Sequence, residues 1–101
     1  MALESFTKQP YEEFMIAGEF TSVLATGETL SSPAASAING KTKVDTTSAV
    51  LEIGTLVVSG TQVQVRCKAG IDKETHKITI RTETSAGNKW EIDVNMKVKE
   101  T

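Results

Sequence analysis

The sequence predicts an all-β protein, a single antiparallel β-sandwich of about seven short strands. Two observations favour this class. The second half of the chain alternates strictly between apolar and polar residues, which is the pattern of antiparallel strands with one face on a core. Glycine, serine and asparagine recur between these segments, and no segment shows strong helical spacing. A chain of 101 residues provides for one domain, so we expect a sandwich of immunoglobulin-like size.

The amino-terminal segment, residues 1–12, is predicted to be an extended arm that precedes a sandwich domain at 13–101. Pro10 lacks a backbone donor and favours extended geometry before it. Ordering a backbone costs about 1–2 kcal/mol per residue, and the segment has few apolar residues to offset that cost, which favours mobility. Phe6 and Tyr11 would then anchor a partner that orders the arm. The alternative is that both rings cover one end of the sandwich.

An alternating segment follows the arm. Its apolar residues Phe14, Ile16 and Phe20 stand at even positions, which predicts the first strand of the sandwich. Further along, two short apolar pieces at residues 50–53 and 56–58 predict strand segments interrupted by glycine.

A serine- and alanine-rich segment, residues 29–38, predicts a strand at the edge of a sheet. Pro33 argues against a helix, and no charged residue follows Glu28 in this segment. Exposed sheet edges present unpaired backbone groups and are usually protected by charge, proline or bulges. We therefore expect a docking edge here, with Ser32 and Ser36 at the partner interface.

The last two strands are predicted to form a hairpin closed by the polar loop SAGNK, with Gly87 available for a positive φ. If Thr84 opposes Trp90, every inward residue meets an inward residue, and His76 meets Val98. The same alternation predicts which side chains are buried and which are exposed. The expected core comprises Val63, Val65, Ile78, Ile80, Trp90, Ile92, Val94 and Met96. The expected exposed set comprises Gln64, Lys77, Arg81, Lys89, Glu91, Asp93 and Asn95.

No catalytic constellation, cofactor-binding pattern or metal-ligand spacing is evident in the sequence. His76, the only histidine, is in phase with the apolar residues of its strand, and we interpret it as a partly buried strand residue. Cys67, the only cysteine, is in phase with buried valines and is interpreted as a small hydrophobe. The net charge of −2 gives no electrostatic basis for nucleic-acid binding. There is no signal-peptide pattern and no apolar run of the about 18 residues that a membrane helix needs. We therefore expect neither an enzyme nor a nucleic-acid or membrane partner.

Three segments carry a resemblance to a known family. The segment FTKQPYEEFMIAGEFTSVLATGETLSSPAASA combines a Lys-x-Pro arm, an alternating strand, a VLATGETL turn and an Ala/Ser strand. The segments LVVSGTQVQVRCKAGIDKETHKITIRTETSAGN and KWEIDVNMKVKE supply a strand pair with its hairpin and a charged last strand. Together they resemble small immunoglobulin-like β-sandwich proteins from the structural gene clusters of tailed phages and prophages. His76 stands where the resemblance leads us to expect a tyrosine.

The resemblance implies a virion structural or assembly protein, a tail or neck adaptor that joins fibres to the tail by docking on other virion proteins. Such a protein would be made in the host bacterial cytoplasm and then reside in the virion, with homo-oligomers formed only in the assembled particle. The alternative is a free-standing surface- or carbohydrate-binding β-sandwich module. Such modules usually display several exposed aromatic residues on one face, and the predicted outer faces of the last strands show none.

Overall fold

Seven strands and two single helical turns form the regular structure of the computed structural model, which describes residues 4–101. The strands are β1 (Glu4–Lys8), β2 (Phe14–Glu19), β3 (Leu30–Asn39), β4 (Leu51–Ser59), β5 (Gln62–Cys67), β6 (Thr75–Thr84) and β7 (Lys89–Val98). The helical turns are a 3-10 turn at Thr21–Val23 and α1 at Thr47–Val50. One sheet has the order β1-β7-β6-β3 and the other the order β2-β5-β4. The predicted all-β sandwich is confirmed.

The strand order is that of an immunoglobulin-like sandwich with one change. In the constant-type arrangement, the second, fifth and fourth strands share one sheet, and the third, sixth and seventh share the other. Both sets recur here. The first strand, which joins the second in that arrangement, lies instead on the other sheet. It pairs in parallel with β7, from Glu4 opposite Val94 to Lys8 opposite Val98. All other strand pairs of the sandwich are antiparallel. Because β1 is followed by a loop and not by a tight hairpin turn, it can join the free edge of either sheet.

The predicted arm at residues 1–12 is in large part a strand. Residues 1–3 lie outside the described residues, but Glu4–Lys8 forms β1. Phe6 packs against the core, and its ring meets that of Phe14 edge to face at a centroid distance of 5.7 Å. Residues 4–8 therefore belong to the four-stranded sheet, where pairing with β7 and burial of side chains offset the cost of ordering them, and the mobility of the arm stays a prediction.

Lys8 is buried, which no pattern in the sequence predicted. Its side chain is 1% exposed. The Nζ group donates to the carbonyl oxygens of Gln9 at 2.8 Å and of Pro10 at 3.4 Å, and also to that of Ala69. Burial lowers the pKa of this amine from its ordinary value. The amine ties the end of β1 to the loop that follows β5.

The core lies between the two sheets and matches the prediction except at Trp90, which is only partly buried. The Trp90 ring packs against the core, and its Nε1 is enclosed without a hydrogen-bond partner among the described residues. Of the residues expected on the outside, three are half-buried. These three residues are Gln64, Asp93 and Asn95.

The last hairpin forms, but its predicted register is wrong by two residues. Thr82, not Thr84, pairs with Trp90. The Thr84 N–H donates to the carbonyl of Asn88 at 2.9 Å, and the Gly87 N–H donates to the carbonyl of Thr84 at 2.9 Å. The loop is therefore a tight three-residue turn with Gly87 at φ 82°. A shift of two residues leaves every side chain on its predicted face, so the inward set is unchanged.

The first half of the chain follows its predictions in part: the apolar pieces predicted at residues 50–53 and 56–58 form one strand, β4, and Val50 belongs to the helical turn α1 instead. The pairing of β2 with β5 is continuous at Gly18, and a Cβ at that position would lie 3.2 Å from Cγ2 of Ile80. The missing side chain therefore allows the two sheets to approach closely. The serine- and alanine-rich strand β3 lies at a sheet edge, as predicted, and its pairing is irregular between Ser31 and Ala34.

Candidate functional site

The four residues predicted to contact a partner lie on two separate sides of the molecule. Phe6 belongs to β1 and is half-buried. Tyr11 lies in the loop before β2 and is 96% exposed. Ser32 and Ser36 are exposed on β3. Since β1 and β3 are the two opposite edges of the four-stranded sheet, the structure does not bring the four residues together.

A hollow of about 700 Å³ lies beside the loop between β1 and β2. The aromatic side chains of Tyr11 and Phe14 line it together with the carboxylates Glu12 and Glu13. Arg66 also lines the hollow, and its Nε lies 3.6 Å from Oε1 of Glu13. Aromatic surface beside carboxylates suits an apolar or cationic side chain of a partner.

The edge of β3 is open over a short length only. The Ala37 N–H donates to Oγ1 of Thr47 at 2.9 Å, and the Ala37 carbonyl accepts from the Thr46 N–H at 2.9 Å. Outward backbone groups alternate along an antiparallel strand, so those of Ala35 are the next in line. Beyond Ala35 lies Pro33, which has no N–H. A partner at this edge therefore meets one residue with a complete pair of outward backbone groups.

The edge of β2 is open over a greater length. The Phe20 N–H donates to the Thr61 carbonyl at 3.0 Å, so the even-numbered residues of β2 direct their backbone groups toward β5. The N–H and C=O groups of Met15 and Ala17 therefore point away from the sheet. Within residues 4–101, no backbone hydrogen bond outside the strand ladders involves them. Sequence reasoning missed this edge, although a strand of six residues without proline or lysine was the available signal.

Both outer faces of the sandwich carry ion pairs, and the three-stranded sheet also displays exposed apolar side chains. The four-stranded sheet displays ion pairs such as Arg81 and Glu91, whose Nε and Oε2 atoms are 3.7 Å apart. The three-stranded sheet displays Met15 on β2 and Val57 on β4, which are 43% and 45% exposed. Met15 therefore adds apolar surface at the open edge of β2, and the outward residues Gln64 and Arg66 of β5 separate it from Val57.

A fixed negative charge stands at the end of β2. The Glu19 carboxylate accepts hydrogen bonds from the Thr21 N–H at 3.1 Å and from the Thr61 hydroxyl at 2.6 Å, and it also accepts from the Thr21 hydroxyl. These bonds, with the Thr21 side chain first among them, lower the pKa of Glu19 to about 2. The carboxylate is therefore ionised at neutral pH.

We expect wild-type protein to lose stability more steeply than Glu19→Gln as the pH falls from 4.5 to about 2. A lowered folded-state pKa adds stability that is complete above the unfolded pKa and is lost as the pH falls through the folded pKa. Melting temperatures of both proteins across this range test the expectation. Parallel curves would show that the Glu19 bonds do not favour the folded state.

His76 lies in a hydrogen-bonded chain that looks like a catalytic relay. Its Nε2 is 3.0 Å from Oε1 of Glu74, and its Nδ1 is 2.9 Å from Oγ1 of Thr46. Asn39 Nδ2 donates to the other oxygen of Glu74 at 3.2 Å. Both imidazole nitrogens are already bonded, and the side chain is 1% exposed, so no substrate atom can reach either nitrogen. The chain joins the loop after β3 to the start of β6.

The remaining candidate groups have structural surroundings. Cys67 is fully buried, and this burial raises the pKa of its thiol, which favours the protonated, unreactive form. Within the part of the chain that the structure describes, no group of three or more His, Cys, Asp or Glu side chains could hold a metal ion. Among residues 4–101, no helix has the length and apolar character to cross a membrane.

Comparison with known proteins gives one result. The family model described as podophage GP4 fiber-tail adaptor protein gp77 matches residues 8–98, most of the chain. No curated protein and no solved structure matches the chain. The matched region runs from the buried Lys8 to Val98, the last residue of β7, and so takes in the sandwich almost whole. The chain therefore belongs to the podophage fiber-tail adaptor family, and this membership indicates a phage tail protein.

Proposed function

We propose that this chain joins a fibre to the tail of a phage particle by protein–protein docking and catalyses no reaction. Family membership over residues 8–98 is the observation that carries the proposal. The surface agrees with it, because the described residues offer strand edges and exposed apolar side chains where a partner can bind. The one relay-like group of side chains, around His76, is closed to a substrate.

An adaptor needs two binding surfaces, and the sandwich offers two that face apart. One is the side of β1 and β2, where Tyr11 is exposed beside the half-buried Phe6. The other is the edge of β3, where Ser32 and Ser36 are exposed. We assign the fibre and the tail to these two sides, without deciding which partner binds which side.

Deleting the gene for this chain from the phage tests the adaptor function. We expect particles with complete heads and tails but without fibres, because the joint between fibre and tail is absent. Electron microscopy of purified particles provides the measurement, and expression of the chain from a plasmid should restore the fibres. Fibres present in normal number on the deleted particles would overturn the proposal.

The remaining features of the proposal concern partners and place. The partners are other tail, neck or fibre proteins, and copies of the chain meet only within the particle. The chain is made in the host bacterial cytoplasm and then enters the virion. The net charge of −2 gives no basis for holding nucleic acid.

A surface- or carbohydrate-binding module is the second candidate, and one observation favours it. Tyr11 and Phe14, two exposed aromatic side chains, line the same hollow. Titration of the isolated protein with host surface polysaccharide, followed by the fluorescence or NMR signals of Tyr11, separates the two functions. Saturable binding that Tyr11→Ala abolishes would favour the module.

A further inference from the structure

We propose that the open edge of β2 binds an extended strand of another virion protein, one that has alternating apolar residues and basic residues at its ends. The inference rests on the proposed adaptor function, and it names the surface and the kind of partner. The added strand would become the fourth strand of the sheet β2-β5-β4.

The hydrogen-bonding groups at this edge specify the form of the partner. The outward N–H and C=O groups belong to Met15 and Ala17, which are two residues apart. A neighbouring strand, antiparallel or parallel, presents its own hydrogen-bonding groups at the same interval. Only another extended backbone supplies acceptors and donors at this spacing. Addition of a strand to an exposed edge is an established mode of peptide recognition.

The strand order leaves the position beside β2 without a strand. In the constant-type immunoglobulin arrangement the first strand flanks the second. Here β1 pairs with β7, so the sheet of β2 has three strands and the opposite sheet has four. A strand added to β2 would give both sheets the same number.

Of the four edges of the sandwich, the edge of β2 is the least protected. The edge strand β1 has five residues and turns the charged Lys8 inward. The edge of β3 is covered at Ala37 and interrupted at Pro33. In β4 the pairing is irregular between Glu52 and Val57. Inward charges, proline and bulges are among the usual means of preventing edge pairing, and β2 has none of these three along Phe14–Glu19.

The core beneath the open edge is incompletely covered. Phe14 faces the same side of the sheet as the buried Cys67, with which it pairs, yet it remains 37% exposed. Ile16 and Phe6 are only half-buried. Inward side chains of an added strand would cover these three residues, so we expect alternate apolar residues in the partner.

Charge favours a different protein over a second copy of this chain. Acidic side chains stand at both ends of the open edge, with Glu12 and Glu13 before it and Glu19 at its end. If two copies paired with Met15 of one opposite Ala17 of the other, Glu13 of each copy would oppose Glu19 of the other. Like charges directly opposite each other in a sheet destabilise the pairing. Basic residues at the ends of a foreign strand would instead be attracted, and one of them would reach the hollow beside Tyr11.

Two synthetic peptides test the inference on the intact protein. In both peptides valine and threonine alternate, and the ends carry two lysines in one and two glutamates in the other. We expect the lysine peptide to slow amide hydrogen exchange at Met15 and Ala17 by at least about tenfold and the glutamate peptide to leave it unchanged. Equal protection by both peptides, or by neither, would overturn the proposal. Protection that rises with protein concentration in the absence of peptide would also overturn it, in favour of a second copy.

A pair of variants at one position tests the edge in the particle. Ala17→Pro removes the outward N–H. Ala17→Thr keeps this N–H, and threonine is close to proline in size. Provided that both variants melt cooperatively, we expect Ala17→Thr to enter particles and Ala17→Pro to be lost from them. Entry of the proline variant at the wild-type level would contradict the proposal. If Ala17→Pro does not fold, the peptide measurements on the wild-type protein decide alone. If particles made without the gene lack fibres but Ala17→Pro enters particles normally, the adaptor function is supported and only the β2 surface is rejected.

Discussion

Lys8→Met is expected to lower the free energy of unfolding by about 1–3 kcal/mol, because it leaves three partly buried carbonyl groups without their charged donor. Methionine keeps most of the apolar volume, so the loss reports the ammonium group and not a cavity. The three carbonyls of Gln9, Pro10 and Ala69 belong to two loops that the amine joins. Chemical denaturation of the variant and the wild type provides the measurement.

A matched control and a local readout accompany this variant. Lys41→Met replaces an exposed lysine in a loop and should change stability by no more than about 0.5 kcal/mol. Amide exchange at Phe6 should accelerate in Lys8→Met, since β1 loses its attachment at one end. An effect of Lys8→Met as small as that of Lys41→Met would show that the amine does not hold β1 in place.

Phe20→Ala should destabilise the protein by about 3–5 kcal/mol, which is a large part of the stability of a small domain. The Phe20 ring is fully buried at the end of β2 and packs close to Gly18. Trp90→Ala should cost less, although the residue is larger, because Trp90 is only partly buried and its Nε1 lacks a partner among the described residues. Thermal melting of both variants provides the comparison. A greater loss in Trp90→Ala would show that Trp90 is a core residue, as the sequence pattern predicted.

The candidate site was predictable only in part. The exposed serines of β3 and the exposed ring of Tyr11 follow from local composition, and the structure places both on the surface. The open edge of β2 was not predicted, because an edge is defined by the absence of a neighbour. Whether a strand has a neighbour depends on segments that are distant in the sequence. The same limit explains Phe6, which has the composition of an arm residue and the surroundings of a strand residue.

The sequence by itself determined the faces of the strands. Successive side chains of a strand point to opposite sides whatever lies next to it, so the alternation in β5, β6 and β7 was enough to identify the inward residues. The inward residues were identified correctly although the predicted hairpin register was wrong, because a shift of two residues leaves each side chain on the same face. Only the tertiary structure decided which strands are neighbours. Backbone groups are the same in every residue except proline, so side-chain alternation cannot specify that β1 joins β7 in parallel, that Lys8 is enclosed by three carbonyls, or that the edge of β2 stays open.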